Sequence, residues 1–429
     1  MLHCRQDANG YISLRAKYLE GGKRCECLHL WQSYRILREC NMRYDISFWN
    51  YQPTGFKDEA EAVREWKDAG ITLPMTFEYD PARHDKSRML RLLDECEKAG
   101  MRAIVCDART RYHKLKEVGE ESFRKGVAEA VSDFGSHPAV FGFHVGDEPD
   151  KHTWEYAVNA FIIVREAAPH LTPFLNMFPY WAGFEDVVDA RTPEEYTELL
   201  VDFIRRTGAK LISFDSYGQC AYFDRDYYQN CHIINFKIFG EAARRTGVRL
   251  FVSLLSVGHW AYRVPTQDDI RWQIYSAIAH GATGFHWFSF YQGTLDGNYR
   301  ENPIDMFGKR TRTFDSISYE DRVFLKFFAE KLSACTFESV RYFGLPQGGF
   351  PVFGKDDTLR EIRVIVHETS VAVTRWKDKD GDPVFTFVNM DREYPTKLRL
   401  VFEGKLAPRS CDVWIVPGQM VYIDKEKMI

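Results

Sequence analysis

The sequence predicts a (β/α)8 barrel followed by a small antiparallel β-sandwich, and three observations predict it. Eight strand-like runs, each trailed by a helix-period segment, follow one another from residue 44 to residue 337. Several of the helical segments stop at "AG" or "TG", the glycine that ends a helix in a left-handed turn. After residue 338 the pattern changes to period-2 alternation, with a hairpin signal at "DKDGD".

The elements follow in order. "RYDISFWNY" reads as the first stave and "DEAEAVREWKDAG" as its helix. "ITLPMTFEYD" and "KSRMLRLLDECEKAG" form the second unit, and "MRAIVCDA" with "EESFRKGVAEAVSDF" the third. "AVFGFHVGDEP" is the fourth stave, before "WEYAVNAFIIVREAA". "TPFLNMFPY", "KLISFDSYG", "RLFVSLLSVGHW" and "TGFHWFSFY" are staves five to eight, each with a helix behind it. Strict β/α alternation implies a parallel sheet. An open doubly wound sheet is disfavoured, because no G-x-G-x-x-G follows the first strand and eight units exceed the usual five or six. Residues 1–43 read as a short preface, 44–337 as the barrel and 338–429 as the sandwich.

Composition narrows the function classes. The 429 residues carry a net charge of −4 and no basic block, so nothing points to a nucleic-acid or anionic-membrane partner, and none is expected. No apolar run reaches the roughly 18 residues of a membrane span, and "MLHCRQDANGYISLRAKY" has no apolar signal core. The ten cysteines follow no zinc spacing, Cys25 and Cys27 being the one close pair. A cytoplasmic, reducing location is the expectation. There is no G-x-S-x-G, H-E-x-x-H or P-loop, so neither metal nor cofactor is implied. Nothing in the sequence sets an oligomeric state.

In such a barrel, function sits at the C-terminal ends of the strands. The fourth stave ends in "HVGDEPD", residues 144–150, where Asp147 and Glu148 stand side by side. Alternation puts Phe141, Phe143 and Val145 outward and Gly142, His144, Gly146 and Glu148 inward, with Asp147 supporting from the side. On the sixth stave Ser213, Asp215 and Tyr217 share the inner face. The second aligns Thr76, Glu78 and Asp80; the fifth Asn176, Phe178 and Tyr180; the first Asp45, Ser47, Trp49 and Tyr51. Trp287 and His286 fall on opposite faces of the eighth, and His259 with Trp260 ends the seventh. An acidic, aromatic mouth suits a neutral sugar, whose C–H faces stack on rings while its hydroxyls bond carboxylates.

A fourth stave ending in an acidic doublet and proline resembles the barrels of glycoside hydrolase clan A, whose fourth strand ends in Asn-Glu-Pro or a near variant. "FDSYG" and "VPTQDDIRWQIYSAIAHGATGFHWFSFY" resemble bacterial members of that superfamily that also carry a C-terminal β-sandwich. The resemblance implies a glycosidase with Glu148 as general acid/base. One departure matters: the clan's nucleophile is a glutamate ending strand seven, and no carboxylate occurs here between Glu241 and Asp268. Three readings follow. In the first, the substrate's 2-acetamido oxygen attacks, oriented by Asp147 and helped by Tyr217, as in glycoside hydrolase families 20 and 123. In the second, Asp215 is the partner carboxylate. The third is a non-catalytic carbohydrate-binding barrel. Tyr217, Trp287, Trp49, His259, Glu78, Asn176 and Tyr180 are the candidate sugar contacts.

Several neighbours have plainer roles. Asp147 and Glu148 could cap the next helix, Asp45, Glu78 and Asp107 could be rim charges, and His144 a satisfied core histidine. "KDKDGDP" reads as a solvated turn without the spacing of an EF-hand loop.

Overall fold

A computed structural model describes residues 44–429 except 53–55, 182, 184, 294–297, 405 and 407–408, together with 5–6 and 12–13. In residues 1–41, which form a unit of their own, Arg5–Gln6 pairs antiparallel with Ile12–Ser13. The rest of the expected preface lies outside the described residues.

From residue 44 the chain lays down seven parallel strands. These are β1 (Asp45–Phe48), β2 (Ala103–Val105), β3 (Val140–Asp147), β4 (Phe174–Met177), β5 (Leu211–Asp215), β6 (Arg249–Leu255) and β7 (Gly284–Phe288). Their order is β1-β7-β6-β5-β4-β3-β2. The second stave, expected at "ITLPMTFEYD", closes the ring as an extended run with isolated bridges instead of a full strand. Leu73 donates its N–H to the Ile46 carbonyl at 2.9 Å, and Ile104 donates to the Pro74 carbonyl at 2.9 Å. Met75 and Tyr79 bridge to Ile104 and Asp107. Pro74 has no N–H to give, which breaks the ladder on that stave. The result is a (β/α)8 barrel, with β3 as its fourth stave.

Helices return the chain between staves. They include α1 (Glu59–Ala69), α2 (Lys86–Ala99), α3 (Tyr112–Val118), α4 (Glu120–Ala130), α5 (Trp154–Ala167), α6 (Pro193–Thr207), α7 (Arg225–Thr246), α8 (Gln267–Ala279) and α9 (Arg312–Phe324). Asp58, Asp85 and Thr192 cap their helices by accepting backbone N–H bonds, and α8 opens with a full capping box, Thr266 with Asp269. Gly70, Gly100 and Gly208 end α1, α2 and α6 with positive φ. The short helix α3 was not foreseen from the sequence.

Two cores result. Inside the barrel, Trp49, Leu73, Met75, Ile104, Cys106, Phe141, Phe174, Leu211 and Phe251 pack together. Outside it, Phe143, Val145, Ile212 and Phe214 face the helices. Phe141 therefore points inward, contrary to simple alternation. The β2–β3 register slips, with Ala103 opposite Val140 but Ile104 opposite Gly142, so one extra residue on β3 changes the parity.

The sandwich has a four-stranded sheet, β8 (Thr336–Phe343), β10 (Val371–Lys377), β11 (Pro383–Asn389) and β14 (Met420–Ile423). Its three-stranded partner is β9 (Leu359–Val366), β12 (Thr396–Phe402) and β13 (Ser410–Ile415). Phe385, Phe387, Leu398 and Leu400 fill the space between the sheets. The other face of the larger sheet continues the barrel's outer core through Ala372, Trp376 and Met420. Trp272 of α8 donates to the Met390 carbonyl at 3.1 Å and Thr374 to the Ala279 carbonyl at 2.8 Å, so barrel and sandwich share buried hydrogen bonds. The predicted hairpin joins β10 to β11, and its Asp378, Asp380 and Asp382 surround the ammonium of Lys425 at 3.5, 3.3 and 2.9 Å. Among the described residues no helix is long and apolar enough to cross a membrane.

Candidate active site

At the C-terminal mouth of the barrel, Trp49, Asp147, Glu148, Asn176, Asp215, Tyr217, His259 and Phe288 line a pocket of about 160 Å³. Three carboxylates from two staves converge there. Both members of the doublet line it, and the backbone explains why. A second register irregularity on β3 lies between His144 and Gly146, which sets Asp147 opposite Asn176. The next residue, Glu148, has a φ of 46°, a left-handed conformation that a non-glycine residue seldom takes. Its N–H is held by the Asn176 carbonyl at 3.0 Å. Such backbone outliers cluster at active sites, ligand clamps and switch regions.

Tyr112, on α3, anchors the doublet from behind. Its hydroxyl donates to the Asp147 carbonyl at 2.9 Å. Its ring lies so close to Gly146 that an added Cβ would sit 2.2 Å from Cδ1. Only glycine lets that ring approach.

Asn176 organises the carboxylates. Its Nδ2 donates to Asp147 Oδ1 at 3.1 Å and to Asp215 Oδ1 at 3.0 Å, while Ser213 donates to its Oδ1 at 2.9 Å. Glu148 and Tyr217 line the same pocket beside Asp215. Burial pushes all three carboxyls above their ordinary range. For Glu148 the charges of Asp215 and Asp147 push further in the same direction, and so does its hydrogen bond to Asp215. For Asp215 the bond from Asn176, with Glu148 and Tyr217 beside it, opposes burial. Glu148 and Asp215 therefore titrate as a pair, with Glu148 pushed up both by burial and by the neighbouring negative charge.

The other side of the pocket is aromatic. Trp49 donates its indole N–H to Ser253 at 2.9 Å and stacks near Tyr51, with ring centres 6.3 Å apart. Phe288 lies against Tyr217 at 5.6 Å, and His259 stacks on Tyr299 at 5.1 Å. No carboxylate comes from the seventh stave. Its Ser253 receives Trp49, and Leu255 and Val257 pack with Tyr217.

Three candidate contacts lie elsewhere. Trp287 faces the helices and donates to buried Asp321 at 3.0 Å, while His286 takes the inner face and stacks on Phe174 at 4.6 Å. The alternation of β7 then brings Phe288 inward, a contact the sequence reading missed although the same alternation would have found it. Tyr180 leaves the mouth because the chain turns after Met177: its hydroxyl donates to the Arg191 carbonyl, and Asn235 holds its backbone. Glu78 stands half-exposed at the rim, paired with Arg111 at 3.3 Å. Tyr112 could not have been found, since its segment carried no clear periodicity.

The neighbouring charges are structural. Asp45 pairs with Arg249, and Asp107 with Arg109. His144 sits inside the barrel with its Nε2 near the Gly146 carbonyl at 2.9 Å, and burial pushes its pKa well down, so the ring is neutral. A larger groove, about 780 Å³, runs between α6, α7 and β8. Arg245 pairs there with Glu198 and Arg244 with Glu241.

No family model and no curated protein matches the chain. Solved structures do. A β-galactosidase from the psychrophilic Marinomonas ef1 aligns with a TM-score of 0.51 at 12% identity, over 68% of this chain and 62% of that one. A β-galactosidase from the haloarchaeon Halorubrum lacusprofundi aligns at 0.48 and 12%, over 68% and 61%. An endo-β-1,4-glucanase from Xanthomonas axonopodis aligns at 0.44 and 12%, over 65% and 99%. The chain thus spans about three-fifths of the β-galactosidases' length. At this identity the likeness is one of fold alone, a (β/α)8 barrel.

Proposed function

We propose that this barrel hydrolyses a glycosidic bond in a neutral oligosaccharide or glycan, with Glu148 as proton donor and Asp215 as its partner. The observation that carries this is the convergence of Glu148 and Asp215 in one pocket, with Asn176 donating to Asp215. Glu148 gives its proton to the leaving oxygen as the C–O bond breaks. The Asp215 carboxylate stabilises the cationic sugar and forms the bond to it. Water then attacks the same carbon and displaces the Asp215 carboxylate, while Glu148 takes the water's proton. Inverting pairs stand about 6.5–9.5 Å apart with a water between them and retaining pairs about 5–5.5 Å. Glu148 and Asp215, close enough to perturb one another, are nearer the second arrangement. Retention of configuration is the outcome this reading expects.

A second reading is favoured by Asp147, which lines the same pocket and shares Asn176 with Asp215. There the attacking oxygen belongs to a 2-acetamido group that Asp147 orients. Matched aryl β-glycosides separate the two. Turnover of the 2-hydroxyl compound with retained configuration supports Asp215. Turnover confined to the 2-acetamido compound replaces it with the substrate's own oxygen. Tight sugar binding without turnover across a broad panel would sink both and leave a carbohydrate-binding barrel.

A further inference from the structure

The pocket at the carboxylates, about 160 Å³, is well below the roughly 300–1,000 Å³ of ordinary ligand sites, so it takes a single ring. The rest of any chain must lie on the rim. There, the loops after β5 and β6 are clasped together. Ala221 bridges Tyr262, Tyr222 donates to the Ala261 carbonyl at 3.0 Å, and Arg263 donates to the Cys220 carbonyl at 2.8 Å. At the tip, His259 and Tyr262 close a tight turn by exchanging backbone hydrogen bonds at 2.9 and 2.7 Å.

That turn presents Trp260. Its backbone is left-handed, with a φ of 48°, yet the residue is 72% exposed. The side chain of Asn298 fixes it there by accepting the Trp260 N–H at 2.6 Å. A bulky residue is costly at positive φ, where glycine or asparagine would sit without strain, and core packing gives no compensation to an exposed ring. The Trp260 indole is 5.9 Å from the ring of His259, which lines the pocket. On the clasped loop beside it, Tyr222 and Phe223 are 57% and 62% exposed. Three exposed aromatics thus stand on one two-loop clasp at the edge of the acidic pocket.

We infer that Trp260, with Tyr222 and Phe223, forms a platform for a second sugar ring outside the pocket, so that the substrate is a neutral chain and not a single glycoside. This rests on reading the mouth as a sugar site. Aromatic faces suit the C–H faces of uncharged rings, and the carboxylate cluster repels anionic ones.

The test measures binding of cello-, manno-, laminari-, xylo-, galacto- and chitohexaose, and of their disaccharides, by calorimetry. The full chain carries Glu148→Gln so that nothing is cleaved during the titration. For at least one hexasaccharide, adding Trp260→Gly weakens binding roughly five- to tenfold, the size of one ring-stacking contact. Trp260→Phe restores most of it, and the matching disaccharide changes less than twofold. Equal affinities with and without the indole would overturn the platform, and so would a failure of all six hexasaccharides to bind. Trp260-dependent binding in a protein that never cleaves would retain the platform and sink the proposed hydrolysis. Cleavage with Trp260-independent binding would sink the platform alone.

Discussion

On the side of the mouth built by β3, β4 and β5, polar groups are fixed by hydrogen bonds. On the side built by β6, β7 and the residues after β1, rings are fixed by rings. Asn176 holds two aspartates and is itself held by Ser213, whereas His259 rests on Tyr299 and Phe288 on Tyr217. The difference teaches how one opening gives two services. The polar side controls where a proton sits, which needs directional bonds. The aromatic side excludes water and offers flat surface, which needs only contact area.

The largest expected effect breaks the polar side. Glu148→Gln removes the proton donor and lowers kcat/KM by about 10²–10⁴-fold on substrates with poor leaving groups. The same variant tests the electrostatics without substrate. Because the folded protein holds the Glu148 carboxyl above its ordinary value near 4.3, it binds a proton that the unfolded chain has released in the window above that pH. Stability then falls as pH rises through that window. The variant's Tm relative to wild type should therefore climb from about pH 4 upward; a flat difference would mean that Glu148 is not so perturbed.

Next comes Asn176→Ala. It removes a donor that lowers the pKa of Asp147 and of Asp215, so the acidic limb of the pH–rate profile should move to higher pH. An unmoved limb would show that neither aspartate controls it. Gly146→Ala forces a Cβ into the Tyr112 ring and should cost about 1–3 kcal/mol, with a further loss of kcat as the doublet shifts. Trp287→Phe should cost about 1–3 kcal/mol by leaving buried Asp321 without its donor, while kcat stays near wild type. The smallest effect is on the aromatic side: His259→Ala should raise KM several-fold with little change in kcat. A kcat loss matching that of Glu148→Gln would erase the distinction between the two sides.

How legible was this in the sequence? The sixth stave was read residue by residue: alternation put Ser213, Asp215 and Tyr217 inward, and Ile212 and Phe214 are found against the helices. It is a regular strand, pairing without slips on both sides. The fourth stave was read only in part. Its two irregularities turned Phe141 inward and brought Asp147 to the pocket beside Glu148, and no residue pattern signals a slipped register. Trp287 and His286 looked interchangeable because adjacent residues on a buried strand are both apolar enough for either face.

What the sequence by itself determined is the periodicity: eight β/α units, an alternating tail and an acidic doublet ending the fourth stave. These are local, since helix and strand periods and glycine stops act over a few residues. What only the tertiary structure decided is which groups meet. Asn176 reaches two aspartates on different staves, Tyr112 reaches Asp147 from a helix the pattern hid, and Lys425 reaches a hairpin some forty residues back. Such contacts depend on strand register and barrel closure. Those are set by packing over the whole ring, and one slipped residue on one stave is enough to change them.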